Sequence, residues 1–319
     1  MAYLHNDREQ FKDAIYLAYD QTGIMVQAIE KDYYVTMLLK LLSEKIPYIV
    51  FKGGTSLSKC HKVIKRFSED IDITIDTTLS QGQKKKVKQA IVDSADELGM
   101  VIENLEDTRS RRDYNRYVIA YDSVIPMESA ALKSAVLLET SYTAVSFPTV
   151  LLPVHSYIGE MMEKEAPDAI SDFMLTPFEM KVQGIDRTLA DKVFAVCDYY
   201  LEGKVTKHSR HLYDIYKILP LVPQNEDFKE LVHEVREVRS HSSICPSAAA
   251  EVDIPKLIEK IIEEKAYKPD YDALTTQLLE EKVSYDTVIG ALKQIAESDW
   301  FGGFTFEIFI KRMKLPRFV

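Results

Sequence analysis

The sequence predicts an α+β protein, with a mixed sheet and its helices in the first half and a mostly helical second half. Phe67–Ile75 alternates strictly, with isoleucines on one face and aspartates or threonine on the other, which is typical of a half-buried strand. Beyond Pro177 the apolar residues recur at near-helical spacing, as in Thr188–Leu201. We therefore expect a first domain over residues 1–155 and a second over residues 156–319.

The elements follow in order from local pattern. Helical periodicity covers residues 6–45 with a break near Gly23, and the short apolar run 48–51 that follows is rich in strand formers. Thr55 or Ser56 is a natural N-cap for a helix to about Lys65. Further elements are expected as a helix over 80–98, strands over 116–122 and 134–143, irregular chain over 144–178, and helices over 188–201, 212–219, 226–239, 254–265, 271–280 and 284–298.

Composition excludes several classes of protein. The chain has 319 residues, 46% of them hydrophobic and 28% charged, and it has no apolar run near the roughly 20 residues that a membrane helix needs. The N-terminus lacks an apolar signal-peptide segment, and the three cysteines are widely separated. We therefore expect a cytoplasmic protein. The net charge of −10 argues against a surface coated in basic residues, although a local basic groove remains compatible with it.

The strongest chemical motif is a Gly-Gly-Thr-Ser turn after a strand, followed by an Asp-x-Asp strand. Gly53 and Gly54 let backbone N–H groups approach a phosphate, and the next helix adds unpaired N–H donors. Asp70 and Asp72 lie two apart on one strand, about 6.5–7 Å between Cα atoms, on the same face. Their carboxylates can converge on Mg²⁺, which binds a few carboxylates together with substrate phosphates.

Each part of this motif has a simpler interpretation when it occurs alone. A Gly-Gly pair is usually a turn, and an Asp-x-Asp is usually the solvated face of a strand. The complete order of strand, Gly-Gly-Thr-Ser, helix and Asp-x-Asp strand favours catalysis. It is not a phosphate-binding Walker A loop, which ends in Gly-Lys-Ser/Thr, and the chain has no protein-kinase signature set.

The sequence around this motif resembles the AbiEii/AbiGii toxin family. The resemblance rests on Glu30–Val35 (EKDYYV), Phe51–Lys59 (FKGGTSLSK) and Arg66–Asp72 (RFSEDID). It implies a polymerase-β-like nucleotidyltransferase domain of the kind found in bacterial toxin–antitoxin and abortive-infection systems. It also implies a later lysine motif and an aspartate motif, which Thr188–Lys192 (TLADK) and Arg210–Tyr216 (RHLYDIY) resemble.

The resemblance also implies roles for individual residues. Asp70 and Asp72 are expected to hold metal, and Lys192, from the second domain, to bind the incoming triphosphate. Asp214 is expected to position Lys192, a metal or the acceptor. The remaining nucleotide-binding candidates are Gly53, Gly54, Thr55, Ser56, Lys59 and Ser68. From the residues alone, a solvated lysine is the favoured interpretation of Lys192. For Asp214, an ordinary helix-surface aspartate is the alternative to a functional role.

A third carboxylate on a neighbouring strand is common in polymerase-β-like enzymes, where it binds metal or acts as a base. Glu139 is the best placed candidate, with Asp76 and Asp122 as alternatives, and an ordinary edge carboxylate is the competing interpretation of Glu139.

An RNA acceptor would need cations and aromatic rings near this centre. The candidates precede and begin a predicted strand: Arg109, Arg111, Arg112 and Arg116. Tyr114 and Tyr117 could stack on bases. The run 84–88 is interpreted as a solvated helix face.

The leading hypothesis is a Mg²⁺- or Mn²⁺-dependent nucleotidyltransferase, the toxin-like component of a toxin–antitoxin or abortive-infection system. It would transfer a nucleoside monophosphate from an NTP to an RNA hydroxyl, at the 3′ end of tRNA, and release pyrophosphate. A cognate antitoxin is the expected protein partner, and no membrane is involved. The alternatives are a nucleotidyltransferase that modifies a protein or small-molecule hydroxyl, and a catalytically idle nucleotide-binding protein.

Overall fold

The computed structural model describes residues 2–66, 68, 70–126, 134–145, 147–242 and 244–302. Within them the chain divides into two units, one of Met1–Val63 with Phe67–Gly184 and one of Ile64–Arg66 with the chain from Ile185 onward. The division therefore falls after Gly184 instead of at the expected residue 155. The reason is that the last strand before Gly184 pairs into the sheet of the first unit.

In the described part of the first unit, seven strands form one mixed sheet in the order β3-β4-β5-β2-β1-β7-β6. The strands are β1 Ile49–Lys52, β2 Asp70–Ile75, β3 Val101–Ile102, β4 Tyr114–Ala120, β5 Ala135–Val145, β6 Thr149–Val154 and β7 Phe178–Gln183. β2 pairs parallel with β5 and β1 pairs parallel with β7, whereas the other neighbours are antiparallel. This arrangement confirms the predicted α+β class.

Five helices of this unit lie in the described chain. They are α1 Arg8–Thr22, α2 Val26–Lys45, α3 Gly53–Lys59, α4 Gln81–Glu97 and α5 Tyr157–Glu165. Local chemistry sets their ends: Gly23 closes α1 in the left-handed region at φ 69°, and Ser80 with Gln83 forms a capping box at the start of α4. The core is apolar, with the β2 isoleucines and α2 side chains such as Tyr33 and Leu38 almost fully buried.

Four sequence predictions in this unit are corrected. α3 begins at Gly53 with Lys52 as its N-cap, so Thr55 and Ser56 lie within the helix instead of capping it. α3 ends at Lys59, not near Lys65, and Lys62 adopts φ 55°, which a right-handed helix excludes. β2 begins at Asp70, while Phe67 and Glu69 of the predicted strand lie outside the described residues. The stretch 144–178 contains β6 and α5, and Pro153 fits β6 because that strand is an edge of the sheet.

The second unit is helical in its described residues, as predicted. Its helices are α6 Ile185–Leu201, α7 Arg210–Ile218, α8 Glu226–Ser240, α9 Ile254–Glu263, α10 Lys268–Asp270, α11 Thr276–Leu278 and α12 Tyr285–Ala296. The expected helix over 271–280 is instead a π-helical turn, Tyr271–Thr275, followed by α11. Fully buried apolar side chains of α6, α7 and α12 form its interior. None of the described helices has the length and apolar character needed to cross a membrane.

Candidate active site

Strand β2 carries the two aspartates of the motif on one face and its isoleucines on the other. Asp70 and Asp72 are half-buried, whereas Ile71, Ile73 and Ile75 are at most 2% exposed. Because side chains alternate along a strand, burial of the isoleucine face forces both carboxylates to the opposite face. The predicted strand face is therefore observed.

Glu139 lies directly opposite Asp72 on the neighbouring strand. β2 and β5 pair in parallel with Asp72 in register with Glu139, and residues paired in this way point to the same face of the sheet. Lys52 of β1 and Arg116 of β4 continue the row on either side. The sheet thus presents lysine, aspartate, glutamate and arginine side by side, with Asp70 one pleat away on the same face.

The other two candidates for the third carboxylate have different surroundings. Asp76 pairs with Lys181, and Asp122 pairs with Arg8 beyond the end of β4. Neither belongs to the row that contains Asp72. Glu139 is therefore the candidate that the fold brings together with Asp72.

Gly53 is the point at which the Gly-Gly turn approaches the aspartates. It adopts φ 80°, and a Cβ built there would lie 1.9 Å from Oδ2 of Asp72. No other residue type fits this space without moving the Asp72 carboxylate. The glycine is thus required twice, once by its backbone angle and once by the side chain that it faces.

The hydroxyl groups of the turn are engaged within the protein. Thr55 donates to the Asp70 carbonyl at 2.6 Å and its Oγ1 lies 2.9 Å from Oγ of Ser68. Ser56, fully buried, donates to the Gly53 carbonyl at 2.9 Å. Thr55 and Ser68 therefore tie the turn to the start of β2, Ser56 stabilises the turn itself, and Gly53 and Gly54 begin the helix.

Lys59 is held inside the first unit. Its ammonium donates to Asp32 at 2.5 Å and to the His155 carbonyl at 2.9 Å, and its side chain is 5% exposed. The second oxygen of Asp32 accepts from the Tyr157 amide at 2.9 Å. Lys59 thus anchors α3 to α2 and α5, and sequence reasoning missed Asp32 although the quoted segment Glu30–Val35 contains it.

Tyr114 and Arg116 flank Glu139 on β4. Arg116 Nε lies 3.6 Å from the Glu139 carboxylate, and the negative charge of Glu139 also acts on the Tyr114 hydroxyl. Partial burial, reinforced by the charge of Glu139, raises the pKa of Tyr114 above its usual range, so this hydroxyl stays protonated. Tyr114 is 52% exposed, but Tyr117 is fully buried, so the expectation that Tyr117 stacks on bases is wrong.

The other predicted acceptor-binding arginines lie in the chain that leads into β4. Arg109 donates to the carbonyls of Glu106 and Thr108, and Arg112 donates to the Asp107 carbonyl at 3.1 Å. Arg111 is exposed. The guanidinium groups of Arg109 and Arg112 thus bind backbone oxygens, which carry no formal charge.

In the second unit, Lys192 and Asp214 share a buried cluster with Arg66. Arg66 donates to both Asp214 oxygens, at 2.6 and 2.7 Å, and Lys192 donates to one of them at 2.6 Å. Burial disfavours the Asp214 carboxylate, but the two cations outweigh it and hold the pKa of this carboxyl well below its usual range. Burial lowers the pKa of the Lys192 ammonium, although Asp214 opposes the shift. Both interpretations of these residues as solvent-exposed are therefore wrong.

Sequence reasoning missed the part that Arg66 plays in this cluster. Arg66 stands in the quoted segment Arg66–Asp72, and residues 64–66 belong to the second unit by their contacts. A strand bridge pairs Arg66 with Leu279, and the Lys65 amide donates to the Tyr213 hydroxyl at 3.1 Å. No local sequence pattern predicts the pairing of Arg66 with Asp214, because the two residues are 148 positions apart.

The carboxylates of this face suit a cation whose remaining ligands come from the substrate. Among the described residues, no three His, Cys, Asp or Glu side chains form a ready-made metal site. Two aspartates on one strand face are nevertheless compatible with Mg²⁺, which combines one or two carboxylates with substrate phosphates. Asp70 and Asp72 are the residues that fit this requirement.

A mixed sheet that sets an Asp-x-Asp strand beside a Gly-Gly-Thr-Ser turn, with a glutamate in register, defines a nucleotidyltransferase. The family described as "Nucleotidyl transferase AbiEii toxin, Type IV TA system" matches residues 38–293, and the chain belongs to this family. Among solved structures, the nucleotidyltransferase toxin MenT4 from Mycobacterium tuberculosis H37Rv shares the fold, with a TM-score of 0.50 and 14% identity. The similarity covers 93% of this chain and 91% of that one. A comparison with curated proteins gives no significant match.

Proposed function

We propose that this nucleotidyltransferase toxin transfers a nucleoside monophosphate from an NTP to a hydroxyl of RNA, at the 3′ end of tRNA. The observation that carries the proposal is the register of Asp72 with Glu139, with Asp70 on the same face and Gly53 against Asp72. This arrangement supports phosphoryl chemistry because it sets two metal-binding carboxylates beside a carboxylate suited to accept a proton.

Asp72 and the residues around it have distinct tasks in the proposed reaction. Asp70 and Asp72 would hold a divalent cation, Mg²⁺ or Mn²⁺, whose charge would offset that of the triphosphate. Gly53, which has no Cβ, lets the Asp72 carboxylate lie against the Gly-Gly turn. Glu139 accepts the proton of the attacking hydroxyl. A bond forms between the hydroxyl oxygen and the α-phosphorus, the bond to the bridging oxygen of the β-phosphate breaks, and pyrophosphate leaves.

The remaining candidate residues position the groups that meet the nucleotide. Thr55, Ser56 and Ser68 maintain the turn through their hydrogen bonds, and Lys59 anchors its helix, so that Gly53 and Gly54 can meet the nucleotide through backbone N–H groups. The family resemblance assigns Lys192 to the incoming triphosphate. Asp214, fixed by Arg66, sets the position and charge of that ammonium.

Positively charged side chains support an RNA acceptor, and family membership supports an antitoxin as the protein partner. Arg116, beside Glu139, is suited to an acceptor phosphate, and Arg109, Arg111 and Arg112 extend positive charge along the chain before β4. Membership of a toxin family supports a cognate antitoxin as partner. NTPs and tRNA occur in the cytoplasm, where we place the activity.

The test is incorporation of label from α-labelled NTPs into unfractionated tRNA, with Mg²⁺ and with EDTA. Wild type should label the RNA and release pyrophosphate only with metal. Asp72→Asn should lower the rate at least about 100-fold, the scale of losing one preorganised charge stabiliser. Glu139→Gln should lower kcat by about 100-fold or more with KM for NTP unchanged, as expected for a lost base.

Asp20→Asn, a change of the same kind at an exposed position of α1, is the matched control and should leave the rate unchanged. Label in a protein band or a small product, with RNA unlabelled, would replace the proposed acceptor. NTP binding without transfer to any acceptor would instead identify an idle nucleotide-binding protein.

A further inference from the structure

A cavity of about 530 Å³ lies between α4 and the chain that leads into β4. Its lining residues are Lys85, Lys88, Gln89, Val92, Leu105, Glu106, Arg109 and Ser110. From the sequence, residues 84–88 are interpreted as a solvated helix face, and Arg109 belongs to a separate basic stretch. The fold combines the two stretches into one concave surface.

Two cations of this cavity bind the same backbone carbonyl. Lys88 donates to the Thr108 carbonyl at 2.9 Å, and Arg109 donates to the same carbonyl at 2.9 Å. A carbonyl oxygen orients a cation but does not neutralise it, unlike the carboxylate of Asp113 that pairs with the neighbouring Lys84. Three cations against one carboxylate, Glu106, leave the lining positive on a chain whose net charge is −10.

The positive lining leads along the chain to the row that contains Glu139. Tyr114, five residues after Arg109, exposes 52% of its surface, and Arg116 follows it with a side chain 54% exposed. Tyr114 is in register with Ser141, two residues from Glu139, and Arg116 is in register with Glu139 itself. Proteins bind single-stranded nucleic acid with cations at its phosphates and exposed aromatic rings against its bases, and this segment of chain supplies both.

We propose that this cavity binds the backbone phosphates of single-stranded RNA next to the acceptor's 3′ end, while Tyr114 stacks on a base near the reacting hydroxyl. The inference rests on the proposed function and specifies that the protein binds the acceptor through the phosphates next to its 3′ end. The apolar side chains of Val92 and Leu105 favour RNA over an acidic peptide, because they offer a surface to a ribose or a base between the charges.

Lys85 and Lys86 provide a matched pair for the test. Both are exposed on α4 and adjacent in sequence, but only Lys85 lines the cavity. Lys85→Glu and Lys86→Glu therefore make the same change of charge one residue apart. Transfer to unfractionated tRNA is measured with each variant at 50 to 200 mM salt, and thermal melting verifies that both variants are folded.

Lys85→Glu should raise KM for tRNA about fivefold at low salt and reduce the salt slope of log KM by about 0.7, the loss of one phosphate contact. The KM for NTP and the kcat at saturating tRNA should not change, and Lys86→Glu should match wild type. Tyr114→Leu should raise KM for tRNA about tenfold, since stacking contributes about 1–3 kcal/mol per base, and Tyr114→Trp should restore it.

The outcomes separate the two proposals. If wild type transfers no nucleotide to RNA, the proposed function fails, and the cavity proposal fails with it. If wild type is active but Lys85→Glu and Lys86→Glu share one KM for tRNA, only the cavity proposal fails. Loss of antitoxin binding by Lys85→Glu, with KM for tRNA unchanged, would assign the cavity to an acidic peptide and overturn the RNA proposal.

Discussion

Gly53 is the residue on which the geometry of the candidate site depends most directly. Gly53→Ala would force a Cβ to within 1.9 Å of Asp72 Oδ2 at a backbone angle of φ 80°. We expect nucleotide transfer to fall at least about 100-fold, because the Asp72 carboxylate must move away from its place in the row. Transfer assays on the purified variant measure this loss.

Gly23→Ala is the control for backbone strain. Gly23 has φ 69°, and a Cβ there would have nothing within 4 Å. The Gly23→Ala variant should therefore lose about 1–2 kcal/mol of stability, because a residue with a side chain is strained in the left-handed region. It should retain full activity. Equal activity losses in both variants would show that strain, and not the approach to Asp72, explains the effect at Gly53.

Individual residues were predictable where their chemistry depends on local pattern. The two aspartates and the glycines were found because alternation and turn chemistry are properties of short segments. The roles of Thr55 and Lys59 were not predictable, because their partners Asp70 and Asp32 lie 15 and 27 residues away in sequence. Their polar atoms stabilise the turn and its helix.

At the scale of elements, the contact between residues 64–66 and α7 is the main buried electrostatic feature of the second unit. Asp214 is fully buried and Arg66 is 2% exposed in its side chain. Arg66→Ala would leave Asp214 with Lys192 as its remaining cation in the cluster. Breaking a buried ion pair of this kind should lower the free energy of unfolding by about 3–5 kcal/mol.

Urea denaturation followed by fluorescence measures this loss, since the single tryptophan, Trp300, is buried in the second unit. Arg66→Lys should be intermediate, because lysine keeps the charge but not the two-point contact. Lys204→Ala, which removes an exposed pair with Glu202 in the same unit, should change stability by less than about 1 kcal/mol. A loss no larger for Arg66→Ala than for Lys204→Ala would contradict the assignment.

At the scale of the whole molecule, four histidines make stability depend on pH. Burial lowers the pKa of His5, His155 and His208, and lowers the pKa of His211 well below its usual range. The unfolded chain therefore binds more protons than the folded protein as the pH falls below about 6.5, the ordinary pKa of histidine.

Stability should thus be constant from pH 8 to 7 and decrease as the pH falls through 6.5, with an uptake of up to about four protons on unfolding. Urea midpoints measured between pH 8 and 5 give this slope. His211→Gln should reduce the uptake by about one proton. Midpoints that are equal at pH 7.5 and 5.5 would rule out neutral, buried histidines as the cause.

The sequence by itself determined the α+β class, the Gly-Gly-Thr-Ser turn and the shared face of Asp70 and Asp72. These features depend on periodicity and on residues near one another in the chain. Tertiary structure alone decided that Glu139 stands opposite Asp72, that Arg66 holds Asp214, and that Lys85 and Arg109 line one cavity. The physical reason is that strand register and long-range charge pairing are set by packing of segments far apart in sequence, which no local period encodes.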